Sequence, residues 1–414
     1  MNNSFSVVRI TQVFAACWIM LGAFGNPSFA QEAKTVRPEI GKPLQAAQEL
    51  VKQKKGKDAL AKVRETESIG EKTAHEVFLI DQVRGQAAAL AGEAAVAARS
   101  FEAVANSSAV AEKDKLQFLA AAAGQYYTAK DYAKSADLAG RYFREGGSDK
   151  ALRMLHIQAL YLGGNFAQAA KELNAEIQAD EQAGKAPTEE RLQLLSSAYQ
   201  KQQNSAGYAS TLEKLVAYHP KPEYWQAVIH GMTSRSGFPD RLSLDVSRLK
   251  LATATMRNAN EYVEAAQLCL QAGFPAEAKK FLDAGYAAGL LGTGADADRH
   301  KRLKDLAAKN LAEDTKTLGQ DDAQLASAKD GSALLNAGFN YVLHGRAEKG
   351  LGMMENGLSK GGMKHPEDAR LRLGYAYHLA GQPQKAIQAF KKAQDAEGTA
   401  ALGRLWVIRL GQSS

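Results

Sequence analysis

Residues 373–393 read LGYAYHLAGQPQKAIQAFKKA. The apolar residues are spaced three and four apart on both sides of Gly381, as in two successive helices that each bury one face. Counting residue 367 as position 1, Leu373, Gly374 and Tyr377 fall at positions 7, 8 and 11, and Gly381 at 15. Ala386, Phe390 and Ala393 fall at positions 20, 24 and 27. Small side chains at positions 8 and 20 let two helix axes approach to roughly 8–9 Å, and the residue at 24 fills the space beside them.

Working upstream, residues 331–364 repeat the spacing with Gly338, Tyr341, Gly345, Gly350 and Met354. Further frames start at 40, 78, 116, 150, 189 and 259. Position 8 then holds Ala47, Gly85, Ala123, Ile157, Ser196 and Ala266, and position 20 holds Ala59, Ala97, Ser135, Ala169, Tyr208 and Ala278. Ile157 and Tyr208 depart from the small-residue rule. The pattern resembles the tetratricopeptide repeat (TPR), a helix pair of 34 residues. The resemblance implies an all-α fold, a right-handed α-solenoid of about nine to ten helix pairs whose first helices line a concave groove.

Domain boundaries follow from the frames. A signal peptide is expected at 1–30, a short linker at 31–39, and TPR-like repeats at 40–292, with 223–258 divergent. A divergent pair is expected at 293–330, with a long helix over Arg302–Leu318, then two regular units at 331–400 and a capping helix and tail at 401–414. In the cap, Leu402, Leu405, Trp406 and Leu410 share one face, with Arg404 and Arg409 off it.

The expected signal rests on composition. Residues 1–30 carry one charge, Arg9, and an apolar run around Val13–Leu21 that is short for a transmembrane span of about 20 residues. Ser28-Phe29-Ala30 fits a signal-peptidase site. The expected mature chain starts at Gln31, exported to the periplasm of a Gram-negative bacterium or secreted. The alternative is an uncleaved N-terminal anchor. Cleavage removes Cys17 and leaves Cys269, so no internal disulfide forms in an oxidising compartment.

The 414 residues are 45% hydrophobic and 23% charged, a globular composition that argues against disorder. The net charge of +7 bears on solubility and weak polyanion attraction, not on fold. The eight His form no H-E-x-x-H or H-x-x-E-H pair, and there is no G-x-S-x-G elbow or P-loop. Gly292-Thr293-Gly294 lacks a Rossmann context. The reading is therefore a non-enzyme with no cofactor, no metal site and no nucleic-acid partner. Cys269, at position 11, is expected to be a buried structural thiol.

Two expectations concern binding. TPR positions 2, 5, 9, 12 and 13 face the groove, which implies Tyr127, Gln158, Tyr161, Phe339, Tyr375 and His378 as partner-binding residues, with Arg372 at the edge. On this reading a Phe339→Ala, Tyr375→Ala double change weakens partner capture and leaves the helices intact. Position 5 is never Lys, so the carboxylate clamp of chaperone-binding TPRs is rejected. The second candidate surface is a basic cluster, Arg299, Lys301, Arg302 and Lys304, a weak candidate for contact with an anionic polymer or a lipid surface. The leading function is an envelope scaffold that holds a protein or peptide partner. The alternative is a scaffold for synthesis or export of a cell-wall or anionic polysaccharide.

Overall fold

The computed structural model describes residues 36–320, 322–327, 331–394 and 398–412. The expected signal peptide and its cleavage site lie outside the described residues, as do Cys17 and the last two residues of the tail. The described residues are helical with no strand, and the chain divides into two compact units that meet in sequence at Ala179/Asp180.

Unit 1 contains α1 (Pro38–Lys52), α2 (Gly56–Arg64), α3 (Ala74–Ala91), α4 (Ala94–Asn106), α5 (Glu112–Thr128), α6 (Tyr132–Arg144), α7 (Lys150–Leu162) and the greater part of α8 (Phe166–Gln182). Helix α1 starts inside the stretch expected as a linker, with Pro38 in its first turn, where a missing N–H costs nothing. Side chains stop and start these helices. Thr73 and Glu76 form a capping box on α3, and Asp131 and Asp149 accept hydrogen bonds from the Lys134 and Leu152 amides to cap α6 and α7.

Helix pairing follows the small residues. Ala47 and Ala59 on the paired helices α1 and α2, and Ala123 and Ser135 on the paired helices α5 and α6, are all sealed from solvent. The Ser135 hydroxyl donates to the Ala123 carbonyl at 2.8 Å, so its polarity is satisfied inside the α5–α6 crossing. A Cβ at Gly85 would stand 2.6 Å from the Phe101 ring, which is why position 8 is glycine where position 24 is aromatic. Ile157 breaks the small-residue rule yet is fully buried.

Unit 2 continues with α9 (Glu189–Lys201), α10 (Ser205–Tyr218), α11 (Pro222–Thr233), α12 (Ser243–Ala252), α13 (Ala259–Gln271), α14 (Pro275–Ala287), α15 (Ala297–Thr317), α16 (Asp322–Ser327), α17 (Ser332–Leu343), α18 (Ala347–Lys360), α19 (Pro366–Leu379), α20 (Pro383–Lys392) and α21 (Thr399–Gly411). Tyr208, the other departure, is half-buried. The close approach moves one residue earlier, to Gly207, whose added Cβ would meet the Tyr199 ring at 2.7 Å. In α17 and α18 the contact is backbone on backbone: a Cβ at Gly338 would lie 2.6 Å from the Gly350 carbonyl oxygen. The divergent segment 293–330 is one long helix and a short one, and α15 begins five residues before the expected Arg302.

The C-terminal helix buries the apolar face read from the sequence. Helix α21 packs on α20 and α19 and also returns to α10 and α12, which closes the helices of unit 2 into a circuit. Leu402, Leu405, Trp406 and Leu410 are all buried. The polar side is used too: Arg404 reaches Glu213 at 3.3 Å, and Arg409 Nε donates to the Ala252 carbonyl at 3.0 Å. Arg241 and Asp368, 127 residues apart, pair at 2.8 Å.

Candidate functional site

The residues expected to line a groove have different fates in the two units. In unit 1 they form a surface strip. Tyr127 on α5 and Gln158 and Tyr161 on α7 are each half-buried, and the Tyr127 hydroxyl donates to Gln158 Oε1 at 3.2 Å, joining the two helices. Met154 lies beside them half-buried, and Leu162 is 38% exposed. At 100° per residue, Met154, Gln158, Tyr161 and Leu162 share one face of α7.

Each tyrosine leans on an aromatic across the following turn. Tyr127 meets Tyr132 edge-on at 5.5 Å, and Tyr161 meets Phe166 edge-on at 5.3 Å. The signal was in the sequence, as two aromatic pairs each spaced five residues apart at the same repeat positions. Such T-shaped pairs hold a ring in one orientation while one face stays accessible. Burial pushes the Tyr127 hydroxyl pKa up, so it stays a neutral donor at physiological pH. The strip offers ring faces, a thioether and one amide, suited to an extended peptide or the apolar side of a helix.

In unit 2 the same repeat positions do not form an open strip. Phe339 and Tyr375 are 0% and 4% exposed, which corrects their placement on a groove surface. The two rings meet each other at 6.1 Å, Phe339 meets Phe274 at 4.9 Å and Tyr375 meets Trp406 at 5.5 Å. Arg248, a residue of the divergent segment, packs on both, its guanidinium 5.0 Å from the Phe339 centroid and 5.1 Å from that of Tyr375. Arg248 is itself 1% exposed and pairs with Glu277 through Nε (2.8 Å) and Nη2 (2.6 Å) and with Asp245 through Nη1 (2.7 Å). His378 is half-buried against Trp406 at 5.3 Å, and burial, with Lys280 and Arg409 nearby, lowers its pKa. Arg372 lies over the Phe274 ring, and its Nη1 donates to Asn336 Oδ1 at 2.6 Å. The chain's own side chains occupy the space in which a partner was expected.

Sequence reasoning missed this core. Asp245 and Arg248 are spaced i, i+3 and read as a surface helix pair, and Glu277 is 29 residues further on. Only the fold brings Glu277 to them.

The basic cluster is partly neutralised. Lys301 pairs with Asp305 at 2.9 Å, and Lys304 reaches Asp283 at 3.4 Å over the Tyr286 ring. Arg299 and Arg302 are exposed. His300, between them in sequence, is buried and accepts a hydrogen bond from the Gly292 amide at 3.2 Å. Cys269 is fully buried, and desolvation pushes its thiol pKa up, so it is held as the unreactive thiol. Among the described residues, no group of three His, Cys, Asp or Glu side chains could hold a metal ion, and no helix is long and apolar enough to cross a membrane.

No protein-family model matches the sequence, and no curated protein matches it. Solved structures are aligned to it at low identity. The TPR domain of P58(IPK) is 13% identical over 91% of this chain and 99% of that one, with a TM-score of 0.23. The TPR2AB domain of yeast Sti1 in its complex with pHSP90 is 11% identical over 72% and 99%, with a TM-score of 0.23. The Cut9–Hcn1 hetero-tetramer of the APC/C is 11% identical over 78% and 66%, with a TM-score of 0.24. At these scores the alignments carry no information about individual residues or partners. The helix pairs themselves, crossing at small residues and stacked in chain order within each unit, are those of an all-α, TPR-like helical-repeat protein.

Proposed function

We propose that this chain is an exported interaction scaffold of the bacterial envelope that holds a protein segment on the α5–α7 strip of unit 1. The observation that carries the binding part is the contrast between the units. Tyr127, Gln158 and Tyr161 stay half-exposed and pre-oriented, whereas Phe339 and Tyr375 are spent on packing. Pre-oriented rings lose little rotamer freedom on binding. The export part rests on residues 1–30, where an apolar run precedes Ser28-Phe29-Ala30.

Two measurements test the reading. Terminal sequencing of the periplasmic protein should give Gln31, and an intact Met1 in the membrane fraction overturns export with cleavage. The mature chain, used as bait in envelope extract, should retain a protein band that a Tyr127→Ala, Tyr161→Ala double change removes without altering the helical spectrum. Retention of carbohydrate that fades as salt screens Arg299 and Arg302, with the Debye length falling from about 30 Å at 0.01 M to about 8 Å at 0.15 M, replaces this reading with the polysaccharide one.

A further inference from the structure

The half-exposed strip of unit 1 straddles a boundary between helix pairs that lacks a feature found at others. Elsewhere a carboxylate is shared by a tyrosine and a lysine of the next pair. Tyr126, at position 11, donates its hydroxyl to Glu102, at position 25 of the unit before. Lys134, at position 19, donates to Glu102 Oε2 at 3.1 Å and to the Tyr126 hydroxyl at 3.0 Å. In unit 2 Asp322 is shared in the same way by Tyr341 and Lys349, again positions 11 and 19, with the Tyr341 hydroxyl donating at 2.8 Å. Glu355, at position 25, accepts from Tyr377 at position 11, and Lys385 at position 19 lies 5.5 Å from the centre of that ring. Each such clip ties a helix to the pair that follows it, through directional hydrogen bonds to a charged acceptor.

The boundary between α6 and α7 carries none of these groups. Position 25 is Gly140, position 11 is Leu160 and position 19 is Gln168. All three line an open cleft of about 710 Å³ between α6, α7 and α8, so the space lies where the side chains of a clip would stand. The boundary between α2 and α3 also lacks a clip, with Arg64, Ala88 and Val96 in those slots. There the backbones touch instead: a Cβ on Gly56 would lie 2.4 Å from the Ala91 amide nitrogen. The ring contacts that join α6 to α7 come from the first two turns of α7. Phe143 meets His156 at 6.0 Å, Arg153 lies over Phe143 at 3.6 Å, and the His156 ring bonds to the Ala136 carbonyl. The later part of α7, with Leu160, and Gly163 after it border the cleft.

With the strip as the binding surface, on which this rests, we propose that the α6–α7 boundary is a hinge, held at the start of α7 and free at its end, which adjusts the gap between Tyr127 and Tyr161 to the segment the strip holds. The cleft and the strip are two sides of one layer: Ala136, Ala159 and Leu160 at the cleft pack against Tyr127 and Tyr161. A change in the cleft is therefore a change in the strip. Tyr161 lies at the free end of α7, and Tyr127 on α5 belongs to the pair that the Glu102 clip holds to α4. Side chains that border a void lack partner atoms on that side, so opening or closing it breaks fewer contacts than parting a packed boundary. At the α4–α5 boundary the same motion would break hydrogen bonds to a carboxylate. The strip thus keeps its rings oriented and still fits segments of different thickness.

Spin-label distance measurements on the full mature chain, without a partner, test the hinge. Lys113 on α5 is the common anchor, with Arg99 on α4 and Lys171 on α8 as its counterparts; all three are exposed and none lines the cleft. Labels on Arg99→Cys, Lys113→Cys span the clip, and labels on Lys113→Cys, Lys171→Cys span the cleft. Labels on Thr128→Cys, Leu162→Cys, both exposed, span the strip. Cys269 is buried and takes no label. The cleft-spanning and strip-spanning distance distributions should be distinctly wider than the clip-spanning one, and Glu102→Ala should widen the clip-spanning one. A cleft-spanning distribution as narrow as the clip-spanning one overturns the hinge. So does a narrow strip-spanning distribution, or a clip-spanning one that Glu102→Ala leaves unchanged. The strip itself fails by a different result, capture that survives Tyr127→Ala, Tyr161→Ala.

Discussion

Arg248 and Glu277 form a two-point ion pair in which both side chains are 1% exposed or less, at 2.8 and 2.6 Å, inside unit 2. The pair joins α12 to α14 and presents the guanidinium to Phe339 and Tyr375. A buried pair of this kind offsets its own desolvation only while both partners are present. Glu277→Ala should therefore lower stability by about 3–5 kcal/mol. Because Asp245 is buried against Arg248 Nη1 as well, an Asp245→Leu, Arg248→Met, Glu277→Leu triple change, which leaves no charge unpaired, should recover much of that loss. Thermal melts of the three proteins decide it, and a single change with no effect on Tm removes the pair from the core.

The ring pair beside it leads to a reversed expectation. Read from the sequence, Phe339→Ala, Tyr375→Ala should affect capture and spare folding. Read from the structure, both rings are core, and each truncation to Ala costs about 3–5 kcal/mol for an aromatic residue. The double variant should unfold at a distinctly lower temperature, and any loss of partner capture should track unfolding. Unchanged melting with lost capture would return these residues to a binding surface.

Closure of unit 2 rests on Trp406. Its ring is 1% exposed, stacks on Phe390 at 5.4 Å and meets Tyr375 at 5.5 Å. Trp406→Ala should cost about 3–5 kcal/mol and loosen α21 from α10 and α12. Hydrogen exchange should then speed up in α10 as well as in α20 and α21. Faster exchange confined to α20 and α21 would mean that α21 does not close the circuit.

Gly374 gives a test of the repeat frame. A Cβ there would sit 2.7 Å from the Phe390 ring, and that ring is pinned by Trp406. Gly374→Leu should destabilise unit 2 at the upper end of the roughly 1–3 kcal/mol that overpacking costs. Calorimetry of the full chain checks it, and a neutral result means that α19 and α20 cross elsewhere.

The N-terminal end should respond to acid. Glu76 accepts from Arg37 Nε at 2.9 Å and Nη2 at 2.9 Å, and from the Thr73 amide at 2.9 Å. The Arg37 hydrogen bonds chiefly, with the Thr73 amide, hold its carboxyl down to about 2. A depressed pKa gives stability that is present above the ordinary carboxylate range and lost as pH falls through the folded value. Unit 1 should thus lose part of its stability between about pH 4.5 and 2, and Glu76→Gln should melt lower at neutral pH with a flatter acid profile. An identical acid profile in the variant would show that other carboxylates carry the effect.

The sequence by itself determined the helices and their pairing. That information is local: the three-and-four spacing of apolar residues makes a helix face, and a glycine or alanine at positions 8 and 20 marks where a neighbour crosses within the next 20 residues. Gly85 under Phe101, Gly374 under Phe390 and Ser135 under Ala123 are all legible this way, because each pair lies within one repeat. The repeat rule also marks which residues face a common side, and in unit 1 it leads to Tyr127, Gln158 and Tyr161 on one strip. Only the tertiary structure decided which of those sides stays open. Periodicity places a side chain on a face, but contacts between residues far apart in sequence decide whether that face meets solvent or protein. In unit 2 α21 returns to α10, Arg241 meets Asp368 across 127 residues, and Arg248 packs on the Phe339 and Tyr375 rings, so the expected groove becomes core.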